Sequence, residues 1–279
     1  MTTIKASIKK HPVLTYFALT FAISWGGILM VIGPGGILGT KEVSEGLMPF
    51  VYLATLLGPS LAGILLTGLV DGRAGFRELL SRLLRWRVGA RWYAVALLTA
   101  PLLITATLFV LSLTSPVFLP VIVTTDDKVS LLLTGIVMGL VVGFFEELGW
   151  TGFAVPRLRQ HHGVLTTGLI VGLLWGAWHF ILFWESDSFS GALPLALLLV
   201  RLFSWLPAYR VLMVWVYDRT ESLLVAMLMH ASLVASTGGI LVPLALSGMA
   251  LLTWILVWAA ALWVVVAAVQ RQQTLPRQG

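Results

Sequence analysis

The stretch KVSLLLTGIVMGLVVGFFEELGW, residues 128–150, decides the class of this fold. After Lys128 it carries no charge until two carboxylates, Glu146 and Glu147, stand side by side. An apolar run of this kind approaches the about 20 residues that a helix needs to cross a bilayer. Ionisable side chains are costly in such a segment and are functional candidates by default. The sequence therefore predicts a membrane helix that carries a functional site near its end.

The composition of the whole chain supports a membrane protein. Of its 279 residues, 58% are hydrophobic and only 11% are charged, whereas soluble domains are roughly a quarter charged. The net charge of +6 is therefore interpreted as a signal of membrane topology, and no nucleic-acid partner is expected. The chain contains no cysteine, which excludes disulfides, thiolate metal sites and cysteine nucleophiles.

Eight apolar stretches are long enough to cross a bilayer. They lie near residues 13–34, 49–70, 92–114, 129–157, 164–184, 191–216, 222–245 and 248–269. The first follows three lysines, but its apolar part is too long for a signal peptide, so we expect a retained helix. The sequence predicts an all-α, polytopic transmembrane bundle of about eight spans, and residues 1–279 form a single membrane-embedded domain.

Basic residues mark alternate loops and so predict the orientation of the bundle. They occur at the N-terminus, throughout 71–91, and at Arg157, Arg159, Arg219, Arg271 and Arg277, while the intervening loops hold six acids and only two lysines. By the positive-inside rule, both termini are cytoplasmic. The segment 73–87 alternates leucines with arginines, which predicts a helix that lies on the cytoplasmic leaflet.

Few ionisable residues fall inside the predicted spans. They are Glu146, Glu147, His179, Arg201, His230 and, near a span end, Arg210. Counted from the cytoplasmic side, Glu147 lies roughly 15 Å deep, His179 roughly 20 Å and His230 roughly 12 Å. We therefore expect both glutamates and both histidines to surround one cavity that opens to the cytoplasmic side.

The residue types in this cluster predict hydrolysis of an acyl bond. A carboxylate in an apolar pocket is suited to act as a general base. With an imidazole beside it, the carboxylate can activate a water molecule, and a second imidazole can donate a hydrogen bond to developing oxyanion charge. The chain has no serine- or threonine-based nucleophile motif and no HExxH zinc motif.

Three motifs carry a resemblance to a known family. They are EELGWTGFAVPRL (146–158), GLLWGAWHF (172–180) and YDRTESLLVAMLMHAS (217–232), with weaker support from LLRWRVGARWY (83–93). Together they resemble the CPBP family, which comprises intramembrane proteases including the CAAX prenyl endopeptidases and the Abi immunity proteins. Trp175 stands where phenylalanine is commonest in the second motif. The resemblance covers residues 140–236 and implies a protease-like core there.

The resemblance implies a role for each site residue. Glu146 would be the base, Glu147 its neighbour, His179 the partner that helps to activate water, and His230 an oxyanion donor. It implies that no cofactor is required, although Glu146, His179 and His230 could bind a divalent metal such as zinc. The implied partners are membrane lipid and a peptide or lipidated protein substrate, and the implied location is the plasma membrane of a bacterium.

Two departures from the family pattern keep other functions open. Thr151 stands where the first motif usually has arginine, and Val234 stands where an asparagine usually completes the oxyanion site. The chain contains no asparagine at all. A non-catalytic membrane protein of the same family, acting in bacteriocin immunity or regulation, is therefore the alternative. A proton-coupled transporter ranks third, because the sequence lacks the paired repeats of that class.

The missing motif arginine leads to a further expectation about Arg201. A buried arginine needs a partner, and Glu147 has lost the cation that position 151 would have supplied. We therefore expect Arg201 to contact Glu147, directly or through one water, and Glu146 to face the cavity.

Overall fold

The structure, a computed structural model, describes residues 3–274, and this part of the chain is helical with no strand. The helices are α1 Thr3–Lys10, α2 Pro12–Ile37, α3 Met48–Leu83, α4 Ala90–Ser112, α5 Val121–Thr124, α6 Lys128–Gly149, α7 Val155–Leu158, α8 Val164–Trp178, α9 Phe180–Phe183, α10 Ala192–Phe203, α11 Leu206–Thr220, α12 Leu223–Ala235 and α13 Gly248–Thr274. A π-helical turn, Trp150–Ala154, joins α6 to α7, and a second one, Ser236–Ile240, follows α12.

The prediction of a polytopic helical bundle is confirmed. Within residues 3–274, seven helical segments are long and apolar enough to cross a membrane: Pro12–Ile37, Glu45–Leu83, Ala90–Ser112, Lys128–Leu158, Ala192–Thr220, Leu223–Ile240 and Gly248–Gln272. The shorter apolar helix Val164–Trp178 occupies the place of the eighth predicted span. The cytoplasmic location of the termini stays a prediction, and Arg277 lies outside the described residues.

Successive spans run in opposite directions, so the helix ends form two faces. We call the face that carries residues 84–89, 159–163 and 221–222 the arginine-rich face. Side-chain contacts join its segments, such as Arg85 with Glu221 at 2.6 Å and Arg159 Nε with Oδ1 of Asp218, in α11, at 2.8 Å. We call the other the opposite face; it carries residues 38–47, 113–127, 184–191 and 241–247. There the amide of Val121 donates to the carbonyl of Leu241 at 3.1 Å.

Three glycines bring α6 close to α12. Gly135, Gly139 and Gly143 recur every fourth residue and are buried. A Cβ atom on Gly139 would overlap the carbonyl oxygen of Ala231, and one on Gly143 would lie 2.6 Å from the carbonyl oxygen of Met227. Small residues at this spacing let membrane helices pack backbone against backbone. The two helices that carry the glutamates and His230 are therefore held at close range.

The start of α6 is capped by Asp127. Its carboxylate accepts a hydrogen bond from the backbone N–H of Ser130 at 3.0 Å, which satisfies one of the free amides of the first turn. The backbone and side-chain hydrogen bonds from Ser130 hold the pKa of Asp127 below its usual value. The helix therefore starts at a defined residue, which fixes how far along it Glu146 lies.

The amphipathic segment after residue 72 is a helix, but it is shorter than predicted. Gly72 has φ 63° and ψ −146°, a conformation that favours glycine, and it separates residues 73–83 from the membrane-spanning part of α3. The helix ends at Leu83 rather than at Arg87. Beyond it the chain turns toward the start of α12, where the hydroxyl of Ser222 donates to the carbonyl of Arg85 at 2.6 Å. Its location on the membrane surface stays a prediction.

Candidate active site

Glu146 is held in place by two tryptophan side chains. The indole N–H of Trp150 donates to Oε2 of Glu146 at 3.1 Å, and that of Trp175 donates to the same oxygen at 2.8 Å. Trp150 lies one turn further along the chain, in the π-helical turn, and Trp175 comes from α8. Glu146 is only 3% exposed, so these donors replace much of the water that a carboxylate would otherwise bind.

Glu147 lies behind Glu146 and pairs with a buried arginine. Nη1 of Arg210 lies 2.9 Å from both carboxylate oxygens of Glu147, and both side chains are fully buried. The hydroxyl of Thr151 donates to Oε2 of Glu147, and the imidazole of His230 contacts Oε1 at 2.7 Å. The guanidinium of Arg210 also lies over the ring of Trp175, 4.2 Å from its centroid, a favourable cation–π arrangement.

The expected contact between Arg201 and Glu147 is wrong. Arg201 instead pairs with Glu185 at 2.7 Å, in a partly exposed position near the opposite face. The helix is interrupted at residues 204–205, between α10 and α11, although both residues keep helical backbone angles, and Arg210 is buried within α11. The sequence marks Arg210 only as one more ionisable residue within the predicted span 191–216. The available signal in the sequence was the apolar run VLMVWV, residues 211–216, which directly follows Arg210.

Hydrogen bonds fix the ring tautomers of both histidines. Nδ1 of His179 lies 2.8 Å from the carbonyl oxygen of Trp175, which can only accept, so this nitrogen carries a hydrogen. Nδ1 of His230 faces the carboxylate of Glu147, which also only accepts. In each neutral imidazole Nε2 is therefore the unprotonated nitrogen. Nε2 of His230 lies 4.0 Å from Oε2 of Glu146.

A cavity of about 510 Å³ brings three of the four predicted residues together. Glu146, His179 and His230 line it, and Glu147 does not. Val234, at the position of the missing asparagine, lies on the cavity wall. Glu146 therefore faces the cavity, as expected, while Glu147 sits between Arg210 and His230.

The cavity extends in a direction that differs from the sequence-based expectation. We expected it to open toward the arginine-rich side, but its walls lie on the other side of Glu146. On α6 the lining residues run from Thr134 to Glu146, and on α12 and its π-helical turn they run from His230 to Gly238. Both ranges point from the carboxylates toward the opposite face, because α6 begins there and α12 ends there.

Hydrogen bonds already commit part of the donor set that could bind a metal ion. Among residues 3–274, no three His, Asp or Glu side chains are grouped so that they could hold one. Oε2 of Glu146 accepts two indole N–H groups, and both oxygens of Glu147 accept from Arg210. Nδ1 of each histidine is committed to a protein acceptor, so the lone pairs left for a metal ion are those of Oε1 of Glu146 and of Nε2 of the two histidines.

Residues 128–236 match the model of a family described as Type II CAAX prenyl endopeptidase Rce1-like. The resemblance to CAAX-type proteases is confirmed. This Rce1-like segment contains Glu146, Glu147, His179, His230 and also Arg210. The chain is also similar to CAAX prenyl protease 2 of Methanococcus maripaludis, with 33% identity over 51 residues. That match covers 18% of this chain and 19% of the relative, so the chain spans about a fifth of the length of the curated protein it matches.

Proposed function

We propose that this protein is a membrane-embedded endopeptidase that hydrolyses peptide bonds of membrane-associated or lipidated proteins. The observation that carries the proposal is the cavity in which Glu146 faces the imidazoles of His179 and His230 within mostly apolar walls. The match of residues 128–236 to CAAX-type endopeptidases supports it.

The proposed reaction uses a water molecule held between Glu146 and His179. Glu146 takes a proton as the water oxygen attacks the carbonyl carbon of the peptide bond. Nε2 of His179 accepts a hydrogen bond from the same water, because Nδ1 is occupied by the carbonyl of Trp175. The tetrahedral intermediate then collapses with cleavage of the C–N bond, and Glu146 returns the proton to the leaving amine. The atoms balance without a cofactor.

His230 is proposed to stabilise the oxyanion. Its Nδ1 is committed to Glu147 at 2.7 Å, so only Nε2 is available for the substrate oxygen. In the imidazolium form both nitrogens donate, so in that form Nε2 donates to the oxyanion while Nδ1 keeps its hydrogen bond to Glu147. Arg210 and Thr151 hold Glu147 in position for this role. We therefore assign Glu147 as a positioning residue rather than a group that contacts substrate.

A non-catalytic function in immunity or regulation is the second candidate, and Val234 is the observation that favours it. Loss of one oxyanion donor typically costs about a hundred- to a thousand-fold in rate. Two of the neighbouring hydroxyls are committed elsewhere, since Ser232 donates to the carbonyl of Leu97 at 2.7 Å and Thr237 to that of Leu233 at 2.9 Å. Neither replaces the missing donor without a change of conformation.

The test compares membranes that contain the wild-type protein, Glu146→Gln, His179→Ala or Glu42→Gln. Glu42 is an exposed glutamate far from the site along the chain and serves as the control. New protein termini identified by mass spectrometry should appear with wild type and Glu42→Gln, and should disappear with the other two. Cleavage should persist in the presence of a strong metal chelator. If all four proteins are expressed equally and give the same set of protein termini, the proposed protease activity is wrong and the non-catalytic function is favoured.

A further inference from the structure

Two of the cavities formed by residues 3–274 lie on the two sides of the glutamates. One, of about 1130 Å³, lies at the arginine-rich face, and charged side chains such as Asp71, Glu78 and Arg157 line it. Neither Glu146 nor either site histidine lines this cavity. The other is the candidate active-site cavity, whose lining includes none of these charged residues. The larger cavity therefore does not lead to the site.

A cluster of apolar side chains closes the site on the arginine-rich side. Leu79, Leu148, Leu223 and Met227 form a buried cluster in which no member is more than 8% exposed. We call these four residues the Leu79 cluster. Leu148 directly follows Glu147, and a Cβ atom on Gly152 would lie 3.0 Å from the side chain of Leu79. Packing at this density leaves no room for a peptide between the 73–83 helix and the glutamates.

Polar contacts fasten the 73–83 helix over this position. Nη1 of Arg82 donates to the hydroxyl of Tyr217 at 2.9 Å, and Arg82 is only 9% exposed. The segment after the helix is tied to the start of α12 by the bond from Ser222 to the carbonyl of Arg85. Arg85 in turn pairs with Glu221 at 2.6 Å. The helix is therefore a built part of the fold.

The active-site cavity runs from Glu146 to the opposite face. Its outer walls come from the start of α3 at Tyr52, the start of α13 at Leu251 and the π-helical turn at Thr237. Each of these helix ends belongs to the opposite face. Most of the wall is apolar, and among residues 3–274 the one lysine or arginine that lines it is Arg201, which pairs with the exposed Glu185. Such a channel suits an extended apolar peptide and offers little to a highly charged one.

We propose that the substrate is an apolar segment of a membrane protein that reaches Glu146 from the opposite face, while the Leu79 cluster seals the site from the arginine-rich face. The existence of a substrate rests on the proposed function. The route from the opposite face to Glu146 is a property of the fold and does not depend on it. The positive-inside rule predicts that the opposite face is the non-cytoplasmic one. Substrate segments would then enter from the non-cytoplasmic half of the membrane.

The chain contains no cysteine, so a single introduced thiol reports on one position. Val234→Cys places a thiol on the cavity wall, one turn from His230. Ser247→Cys marks the opposite face and His161→Cys marks the arginine-rich face, since both residues are exposed. Val225→Cys is the matched control on α12, because Val225 is fully buried on the arginine-rich side of His230. Each variant is expressed in right-side-out and inverted vesicles and treated with a membrane-impermeant maleimide.

We expect Val234→Cys to be labelled only in the vesicles that label Ser247→Cys, and Val225→Cys to stay unlabelled in both. Labelling of Val234→Cys in the vesicles that label His161→Cys, or in neither preparation, overturns the proposed route. Labelling does not require activity, so the two proposals fail separately. If Val234→Cys is labelled in the same vesicles as Ser247→Cys but the wild-type protein cleaves no peptide, the proposed protease activity is wrong and the proposed route is retained. If the wild-type protein cleaves and labelling follows His161→Cys, only the route fails.

Discussion

Nη1 of Arg210 lies equidistant, at 2.9 Å, from the two carboxylate oxygens of Glu147, although 63 residues separate the two in sequence. Both side chains are completely buried, and each is stable there only because the other is present. The arginine that the first motif usually carries at position 151 would approach Glu147 from the same helix. Here the charge comes from α11, and Thr151 contributes a hydroxyl hydrogen bond in its place.

Arg210→Leu is expected to destabilise the protein strongly, because it strands a buried carboxylate. Breaking a buried pair on one side typically costs about 3–5 kcal/mol. Thermal unfolding in detergent should show a large fall in midpoint, and adding Glu147→Gln should restore most of it. Additive losses in the double variant would contradict the pairing.

Arg201→Leu is the matched control for that experiment. The Arg201 side chain is 26% exposed and that of Glu185 is 63% exposed, and exposed pairs contribute only about 0–1 kcal/mol. Its unfolding midpoint should therefore stay close to that of the wild-type protein. A loss as large as that of Arg210→Leu would mean that Arg201 has a structural role beyond its pair with Glu185.

Thr151→Arg tests whether the cation can be moved from one helix to the other. Thr151 is 2% exposed, so in the wild-type background a second buried guanidinium lacks a carboxylate and should destabilise the protein. In the Arg210→Leu background the same substitution supplies the missing charge one turn from Glu147 and should raise the unfolding midpoint. An equal fall in both backgrounds would show that position 151 cannot serve Glu147 in this fold.

Trp175→Phe removes the shorter of the two indole hydrogen bonds to Glu146 while keeping an aromatic ring beneath Arg210. Hydrogen bonds to charged groups contribute about 1.5–3 kcal/mol, and a loss in this range is expected from chemical or thermal unfolding. Trp178→Phe is the control, since the indole N–H of Trp178 is buried and has no hydrogen-bond partner within residues 3–274. Similar losses for the two variants would mean that ring volume, and not the bond to Glu146, determines the effect.

Val234→Asn should increase the rate of peptide cleavage. It places an amide donor on the cavity wall one turn after His230, and an oxyanion donor typically contributes about a hundred-fold or more. Val234→Leu lacks a donor and should not increase the rate. Cleavage is measured under single-turnover conditions with a substrate found by terminus profiling. An unchanged rate in Val234→Asn would show that the oxyanion does not lie near this position.

Gly139→Ala should disrupt the contact between α6 and α12. Its Cβ atom would overlap the backbone oxygen of Ala231, whereas a Cβ atom on Gly26 in α2 meets nothing within 4 Å. Gly139→Ala should therefore reduce the yield of folded protein in detergent, and Gly26→Ala should leave it unchanged, as measured by size-exclusion chromatography. Tolerance of Gly139→Ala would show that α6 and α12 can separate without loss of the fold.

The sequence predicted the features that depend on local composition. Apolar runs of sufficient length gave the spans, and isolated ionisable residues in them pointed to Glu146, Glu147, His179 and His230. It did not predict which arginine pairs with Glu147, because helical depth does not reveal which way a side chain faces. Pro207, at the start of α11, marks the break at residues 204–205 in the sequence, but it does not show on which face of α11 Arg210 lies. The glycines at positions 135, 139 and 143 have the four-residue spacing that predicts close helix packing in membranes.

The sequence also does not show toward which face the cavity extends. Depth along each helix placed the four residues at overlapping levels, but it contained no information about what fills the space on either side. The Leu79 cluster joins residues from α3, α6 and α12, and the site is closed only where these helices meet. Such packing between distant segments is a property of tertiary structure.

The pair between Arg210 and Glu147 also has a consequence for the insertion of the chain into the membrane. A single charge at the centre of a helix costs about 2.5–3.5 kcal/mol on insertion scales. During synthesis Glu147 emerges first, and its partner follows 63 residues later. Until α11 arrives, α6 carries an uncompensated charge, and α11 alone would carry the reverse charge. Each segment is apolar enough to cross a membrane by itself, but the charge of Glu147 is compensated only when Arg210 reaches it, so the pair favours association of α6 with α11 after insertion.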